Sequence, residues 1–338
     1  MAAQPILEVH HLKKYFPLHS SGFLRRTIGQ IKAVDDVSFF VQPGETLGVI
    51  GESGCGKTTL GRCVAQLYDI TEGEIIVRSG EKEFRSGNLG RGNNSEFRKI
   101  VQVIFQDPFS SLNPRMNVLR TVGEPLLVNG IARGKELEAR VADIIHKVGL
   151  NVGHLQRFPH SFSGGQRQRI CIARALVVNP KLVVADEPVS ALDVSIQAQM
   201  LNLLKDLQRE LGLSYLFVSH SMAVIRYMSD RILVMYAGKV VETGPRDELL
   251  RKPLHPYTET LLKAVPKVTQ RQGTRLKEIT VGEPPNLLNL PKGCVFHPRC
   301  PYAKDICLEQ RPELRALASG RQVSCHRAEE LELQGVFN

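Results

Sequence analysis

No uninterrupted apolar run in these 338 residues approaches the ~18 that a membrane-spanning helix requires. The N-terminal MAAQPILEVHHLKK also lacks the charged-then-apolar order of a signal peptide. Both absences argue against a membrane-embedded or secreted chain, and the expectation is one made and kept in the cytoplasm. Charge of one sign is never packed into a block. Lys and Arg number 44 against 34 Asp and Glu, a net +10, but the excess is scattered through positions such as Lys13, Lys14, Arg25, Arg26, Arg85, Arg91 and Arg98. That pattern reads as a solvated basic surface rather than a nucleic-acid or lipid footprint. No internal repeat is evident, so the chain holds one copy of whatever unit it encodes. Cysteine is scarce before residue 294, limited to Cys55, Cys63 and Cys171, and then Cys294, Cys300, Cys307 and Cys325 follow close together. The length allows one large α/β domain plus a smaller unit, with a sizeable core.

In VSFFVQPGE, alternation places Val37, Phe39 and Val41 on one face of a strand, and Pro43-Gly44 turns the chain into the short buried strand ETLGVI. The strand runs into GESGCGKTT, after which Leu60, Cys63, Val64 and Leu67 recur at helical spacing. Strand, glycine loop and helix in that order make Gly51-Glu52-Ser53-Gly54-Cys55-Gly56-Lys57-Thr58, with Thr59 next, a phosphate-binding loop of the G-x-x-x-x-G-K-[ST] form. Glycines let successive N–H groups curl toward phosphate oxygens, and the helix start near Lys57 adds its positive dipole end. Lys57 then reaches the β- and γ-phosphates and the Thr58 hydroxyl ligates Mg²⁺. Cys55 and Cys63 read as structural. Farther on, the strand from Leu182 to Ala185 in PKLVVADEP delivers Asp186 and Glu187 at its carboxyl end, where parallel sheets bind ligands. Such an acidic pair suits one carboxylate on the metal's water shell and one on the attacking water.

FSGGQRQRICIARAL places Ser163, Gly164, Gly165 and Gln166 at a helix start, a second anion-binding end that a chain with one phosphate loop does not obviously need. Here the chain resembles the ATP-binding cassette (ABC) family, whose signature reads LSGGQ, with Phe162 in place of leucine. The resemblance covers residues from about 5 to 260, with motifs in the family's order. It implies an α/β P-loop NTPase cassette with a RecA-like core, an antiparallel β subdomain and a helical subdomain. It also implies two cassettes that sandwich two ATP molecules, each signature capping the nucleotide of the other. Carried over by position, Gln106 in VIFQDPFSSLNPRM senses the γ-phosphate and the membrane partner and adds to the Mg²⁺ site with Thr58 and Asp186. Ser190 to Asp193 touches the opposite subunit. Glu187 polarises water, and His220, ending YLFVSH, contacts the γ-phosphate. The adenine-stacking aromatic lies in KKYF, at Phe16 or the adjacent Tyr15.

Residues 107 to about 178 read as the inserted helical subdomain, with Leu137, Val141, Ile144, Ile145 and Val148 at helical spacing. Residues 228 to 244 read as strand, Ala237-Gly238 turn, strand. The segments 17 to 31 and 79 to 98 read as surface loops. Finer resemblance, in QDPFSSLNPRM, ADEPVSALDVSIQAQMLNLL, LHPYTETLLKAVP and GEPPN...PKGCVFHPRC, is to the dipeptide and oligopeptide branch of bacterial importers. It implies a nucleotide-binding domain at 1–260 and a transporter-type C-terminal domain at 261–338. It further implies a second, paralogous ATPase subunit, two membrane permeases, an external peptide-binding protein acting indirectly, and a peripheral position on the cytoplasmic face of the inner membrane. Related transporters carry nickel or glutathione, and the cassette never touches the cargo. A soluble ABC ATPase of DNA or the ribosome brings a long coiled coil or two fused cassettes, and an exporter usually fuses its membrane domain; the sequence has neither.

The remaining feature is C-x5-C-x6-C-x17-C near the C-terminus. Disulfides do not suit a cytoplasmic chain. The polar, Pro-rich surroundings of Cys300, Cys307 and Cys325 are unlike a core strand, and the tail has too few apolar residues for a core of its own. A metal that staples it fits better. Zinc usually has paired C-x2-4-C knuckles, absent here, with His297 or His326 as substitute ligands. A [4Fe–4S] cluster tolerates wider spacing, and some peptide-importer cassettes carry one in this tail. At this sequence distance from the phosphate loop, the expected role is structural or redox-sensing, apart from hydrolysis.

Overall fold

The computed structural model describes residues 4–19, 27–86, 91–264, 285, 287–317 and 320–336. Two sheets and their helices organise the chain. The first is antiparallel, in the order β2-β1-β4-β5, from β1 (Leu7–His19), β2 (Thr27–Val41), β4 (Glu72–Ser79) and β5 (Lys82–Arg85). The second has eight strands in the order β11-β12-β10-β9-β3-β8-β7-β6. Its parallel part comprises β3 (Thr46–Ile50), β6 (Val101–Ile104), β7 (Leu182–Asp186), β8 (Ser214–Ser219) and β9 (Arg231–Tyr236). β10 (Lys239–Pro245) joins β9 antiparallel across the Ala237-Gly238 turn, and β11 (Arg315–Ala316) and β12 (Gln322–Val323) extend the same edge.

Both faces of the large sheet are covered, which is why its central strands are apolar throughout rather than alternating. Leu182, Val184, Leu216, Val218, Leu233 and Met235 pack toward the antiparallel sheet and the helix Lys57–Val64. Val183, Ala185, Tyr215, Phe217, Ile232 and Val234 pack in the opposite core with the remaining helices. The helices Val118–Val128, Gly134–Lys147 and Gly164–Leu176 fall where a helical insertion was expected. Leu137, Val141, Ile144, Ile145 and Val148 are all buried.

Three expectations need correction. β1 and β2 run through most of the supposed loop at 17–31, pairing Pro17 with Gln30 and Leu18 with Gly29, while residues 20–26 of it lie outside the described residues. Residues 79–98 likewise hold β5 and the start of the helix Arg91–Ile100, with 87–90 outside the described residues. Phe84 and Phe97, both buried with ring centroids 6.2 Å apart, draw that polar stretch onto the core. Leu67 leaves the helical face, because the helix ends at Val64 and Gln66 takes a left-handed φ of 54°, so Leu67 is half exposed.

The C-terminal region does not stand on a core of its own, as its composition anticipated; it borrows one. Phe296 is fully buried against Tyr236 and Tyr257, at centroid distances of 5.2 and 5.4 Å. β12 pairs Val323 with Glu242 of β10, and the buried Glu242 carboxylate accepts the Leu254 and His255 N–H groups and pairs with Arg321.

Candidate nucleotide site

The parallel strands β3, β8, β7 and β6 lie side by side, and the loops after their carboxyl ends carry the expected site residues. Such an edge is where an open α/β sheet gathers ligand-binding groups from distant stretches of sequence. After β3 comes the glycine loop Gly51 to Gly56, and then the helix that Lys57 opens. Two of its glycines are obligatory. Gly56 has φ 106°, and a Cβ there would stand 2.0 Å from the Ala33 carbonyl oxygen. At Gly51 a Cβ would meet the Met235 carbonyl oxygen at 2.2 Å. The Lys57 ammonium is buried within the loop, donating to the Gly51 and Glu52 carbonyl oxygens at 2.8 and 2.9 Å. Beside it, the Thr58 hydroxyl donates to Asp186 Oδ1 at 2.9 Å. Burial pushes the Asp186 carboxyl above its ordinary range, a tendency opposed by the Thr58 hydrogen bond. A divalent cation beside these two oxygens would reverse that burial cost, so the pair suits Mg²⁺.

Glu187 follows with a left-handed φ of 48°, which sets its side chain apart from that of Asp186. Its N–H is tied to the Val218 carbonyl and its carbonyl accepts from the Ser190 hydroxyl. The Glu187 carboxylate meets two side chains: Gln106 Nε2 donates to Oε2 at 3.2 Å, and His220 Nδ1 lies 2.9 Å from the same oxygen. Gln106, Glu187 and His220 thus converge from the ends of β6, β7 and β8. The group offers a carboxylate base, an amide and an imidazole beside the phosphate loop, the equipment needed to orient and deprotonate water.

Ser163 caps the helix Gly164–Leu176 with a reciprocal capping box to Gln166, leaving Ser163 and Gln166 exposed. The hydrogen bonds of these two side chains close within their own turn rather than reaching the phosphate loop. Phe162, which precedes the capping Ser163, is buried. Gly165 sits against Ile196 of the helix that Asp193 caps through the Ile196 N–H. Of the two candidate adenine-stacking residues, the Tyr15 hydroxyl is committed to Asp35, whereas Phe16 presents its ring edge-on to Tyr68 at 5.5 Å.

Two residues beyond this sequence reading also touch the loop. The Glu52 N–H donates to the Tyr257 hydroxyl at 2.8 Å, and Arg299 forks onto the Glu52 carboxylate. Both lie in stretches, LHPYTETLL and GCVFHPRC, whose resemblance had pointed only to a transporter branch. Cys294, Cys300, Cys307 and Cys325 line one small cavity with His297 and His326. Burial pushes the Cys294 thiol up, that of Cys300 to about 11 and that of Cys325 to about 12, and the neighbouring cysteines add to the shift. Among the described residues, no three Cys, His, Asp or Glu side chains are grouped closely enough to hold a single metal ion.

No helix among the described residues is long and apolar enough to cross a membrane. Residues 34–190 match the family model described as ABC transporter, and residues 241–307 match that of the oligopeptide/dipeptide transporter C-terminal region. The chain is 50% identical over 325 residues to the oligopeptide transport ATP-binding protein AppF of Bacillus subtilis, covering 96% of this chain and 97% of that one. It is 48% identical over 301 residues to the di/tripeptide transport ATP-binding protein DppF of Pseudomonas aeruginosa, covering 89% and 91%. Among solved structures, the dimeric post-hydrolysis state of the ATP-binding cassette MJ0796 bound to ADP and Pi superposes with a TM-score of 0.61 at 28% identity. That match covers 71% of this chain and 98% of the other. Phosphate loop, acidic pair and signature helix in one α/β frame, with relatives matched along nearly their whole length, show that the chain belongs to the ATP-binding cassette family of P-loop ATPases.

Proposed function

We propose that this chain is the ATP-hydrolysing subunit of a bacterial importer for dipeptides or oligopeptides. The observation that carries this is the 50% identity to an oligopeptide transport ATP-binding protein along almost the whole of both chains. The match of residues 241–307 to the oligopeptide/dipeptide transporter C-terminal region supports it. On this reading residues 1–260 form the nucleotide-binding domain, with a helical subdomain at about 107–178, and 261–338 the transporter-type C-terminal region. The chain works peripherally on the cytoplasmic face of the inner membrane. It pairs with a second, paralogous cassette beneath two permeases.

In the site, Gly51 to Thr59 cradle the phosphates, Thr58, Asp186 and Gln106 hold Mg²⁺ and its water, and Phe16 stacks on adenine. Glu187 takes the proton of the attacking water, while His220 and Gln106 steady the carboxylate and the γ-phosphate. Ser163 to Gln166 and Asp193 face the nucleotide of the partner cassette, in keeping with a signature turn whose side-chain hydrogen bonds are internal.

On the same reading the four tail cysteines hold a [4Fe–4S] cluster. Zinc would draw four sulfurs to about 2.3 Å from one point. A cluster spreads one thiolate to each of its irons, and what supports it here is that the four cysteines line one cavity. When bound, such a cluster supplies a covalent staple and a redox-active centre; Cys294, Cys300, Cys307 and Cys325 hold it.

Affinity purification of the chain from detergent-solubilised membranes tests the function. Two permeases and a second cassette should co-purify, and recovery of ribosomes or DNA instead would end the transport reading.

A further inference from the structure

The phosphate loop contains an acidic residue, Glu52, where an anion must bind. A free carboxylate in that position repels a triphosphate, so its charge has to be neutralised or turned away. Arg299 does this. Its Nη1 donates to Glu52 Oε2 at 2.8 Å and its Nη2 to Oε1 at 3.0 Å, a bidentate fork that fixes direction as well as charge. The Arg299 side chain is 8% exposed and that of Glu52 27%, so water screens the pair only in part. Glu52 is also tied through its N–H to Tyr257 and through its carbonyl to Lys57, so the ion pair acts on a residue already bonded to the phosphate-binding lysine.

Arg299 is not placed by the cassette core alone. It closes the short turn His297–Arg299 between two of the tail cysteines, where His297 N–H and Nδ1 both meet the Cys294 carbonyl and the Cys300 N–H bonds the His297 carbonyl. Beside it, Phe296 wedges against Tyr236 and Tyr257, the residues whose hydroxyls lie near Arg299 and the Glu52 N–H. The turn that carries Cys294 and Cys300 therefore also aims the guanidinium at the loop.

We propose that Arg299 is a positioning residue for nucleotide binding, neutralising Glu52 and holding the phosphate loop, and that the four-cysteine tail controls loop affinity by placing Arg299. The inference rests on nucleotide binding by the cassette and is independent of the cargo and of the metal's identity. It assigns the tail a role at the ATP site that its distance along the sequence conceals.

The test is titration of the purified full chain with trinitrophenyl-ATP, the wild-type affinity in the same series reporting the site itself. Arg299→Gln should weaken binding about tenfold, and Arg299→Lys less, because charge returns without the fork. The Glu52→Gln, Arg299→Gln double variant should recover to within about twofold of wild type, since it removes the exposed carboxylate along with its partner. A merely structural arginine would not be rescued in this way. Cys300→Ser should weaken binding in the wild-type background and have little effect on top of Glu52→Gln. Unchanged affinity in Arg299→Gln, or no recovery in the double variant, would overturn the role of Arg299; equal effects of Cys300→Ser in both backgrounds would overturn the control by the tail.

Discussion

His220 Nδ1 stands 2.9 Å from Glu187 Oε2, and the same oxygen receives the Gln106 amide. The carboxylate is thereby held by Gln106 and His220, while Asp186, its neighbour in sequence, accepts from Thr58. On the proposed reading the two adjacent carboxylates take two tasks, one toward Mg²⁺ and one toward water.

Replacing Glu187 by Gln should leave ATP binding intact and slow hydrolysis by about 10²- to 10³-fold in the assembled transporter, because the general base is lost while the phosphate and Mg²⁺ contacts stay. Lys57→Ala should instead lower nucleotide affinity itself. Steady-state hydrolysis and nucleotide titration separate the two, and wild-type turnover in both variants would refute the assignment.

Because the signature turn and the phosphate loop of one chain do not bond each other, the isolated chain should hydrolyse ATP weakly. Its specific activity should rise when the proposed paralogous cassette and permeases are supplied. Light scattering alongside the assay provides the check: full activity from a monomer would contradict a shared site.

Stability should fall in mild acid through His255. This imidazole is fully buried, accepts the Tyr257 N–H, and has its pKa pushed down by burial to about 3. The unfolded chain takes up a proton near its ordinary value of about 6.5, whereas the folded chain does not. The contribution is thus complete above that value and is lost as pH drops toward 3, at about 1.4 kcal/mol per pH unit. Comparing urea midpoints at pH 7 and pH 5, the wild type should lose more than His255→Gln; an equal loss would place the acid sensitivity elsewhere.

Anaerobically purified protein should be brown, with broad absorbance near about 400 nm, and Cys300→Ser should bleach it and loosen the tail. Elemental analysis decides the metal. Stoichiometric zinc in colourless protein would replace the cluster by a zinc staple, and metal-free protein with four titratable thiols would remove both.

The phosphate loop, the acidic pair and the signature helix were legible along the chain because each is local. A glycine loop that opens a helix at Lys57, a capping box between Ser163 and Gln166, and an apolar strand ending in Asp186 and Glu187 are all written in short runs of residues. The helical insertion was legible for the same reason, through the spacing of Leu137, Val141, Ile144 and Ile145. What composition concealed were elements whose folding depends on distant partners. The polar stretch around Phe84 and Phe97 is ordered by the contact of those two rings. The outer ends of β1 and β2 carry Pro17 and Gly29, which read as loop along the chain, and they persist as strand because each satisfies the other's backbone. The meeting of Gln106, Glu187 and His220 required three parallel strands to be laid side by side. So did the reach of the tail: Arg299 and Glu52 are 247 positions apart in the chain and in direct contact in the fold. Sequence alone pointed to the groups proposed to bind phosphate, because that chemistry needs only a loop and a helix end. Tertiary structure decided what governs the loop, because charge neutralisation acts through space, and the order of residues along the chain does not record that distance.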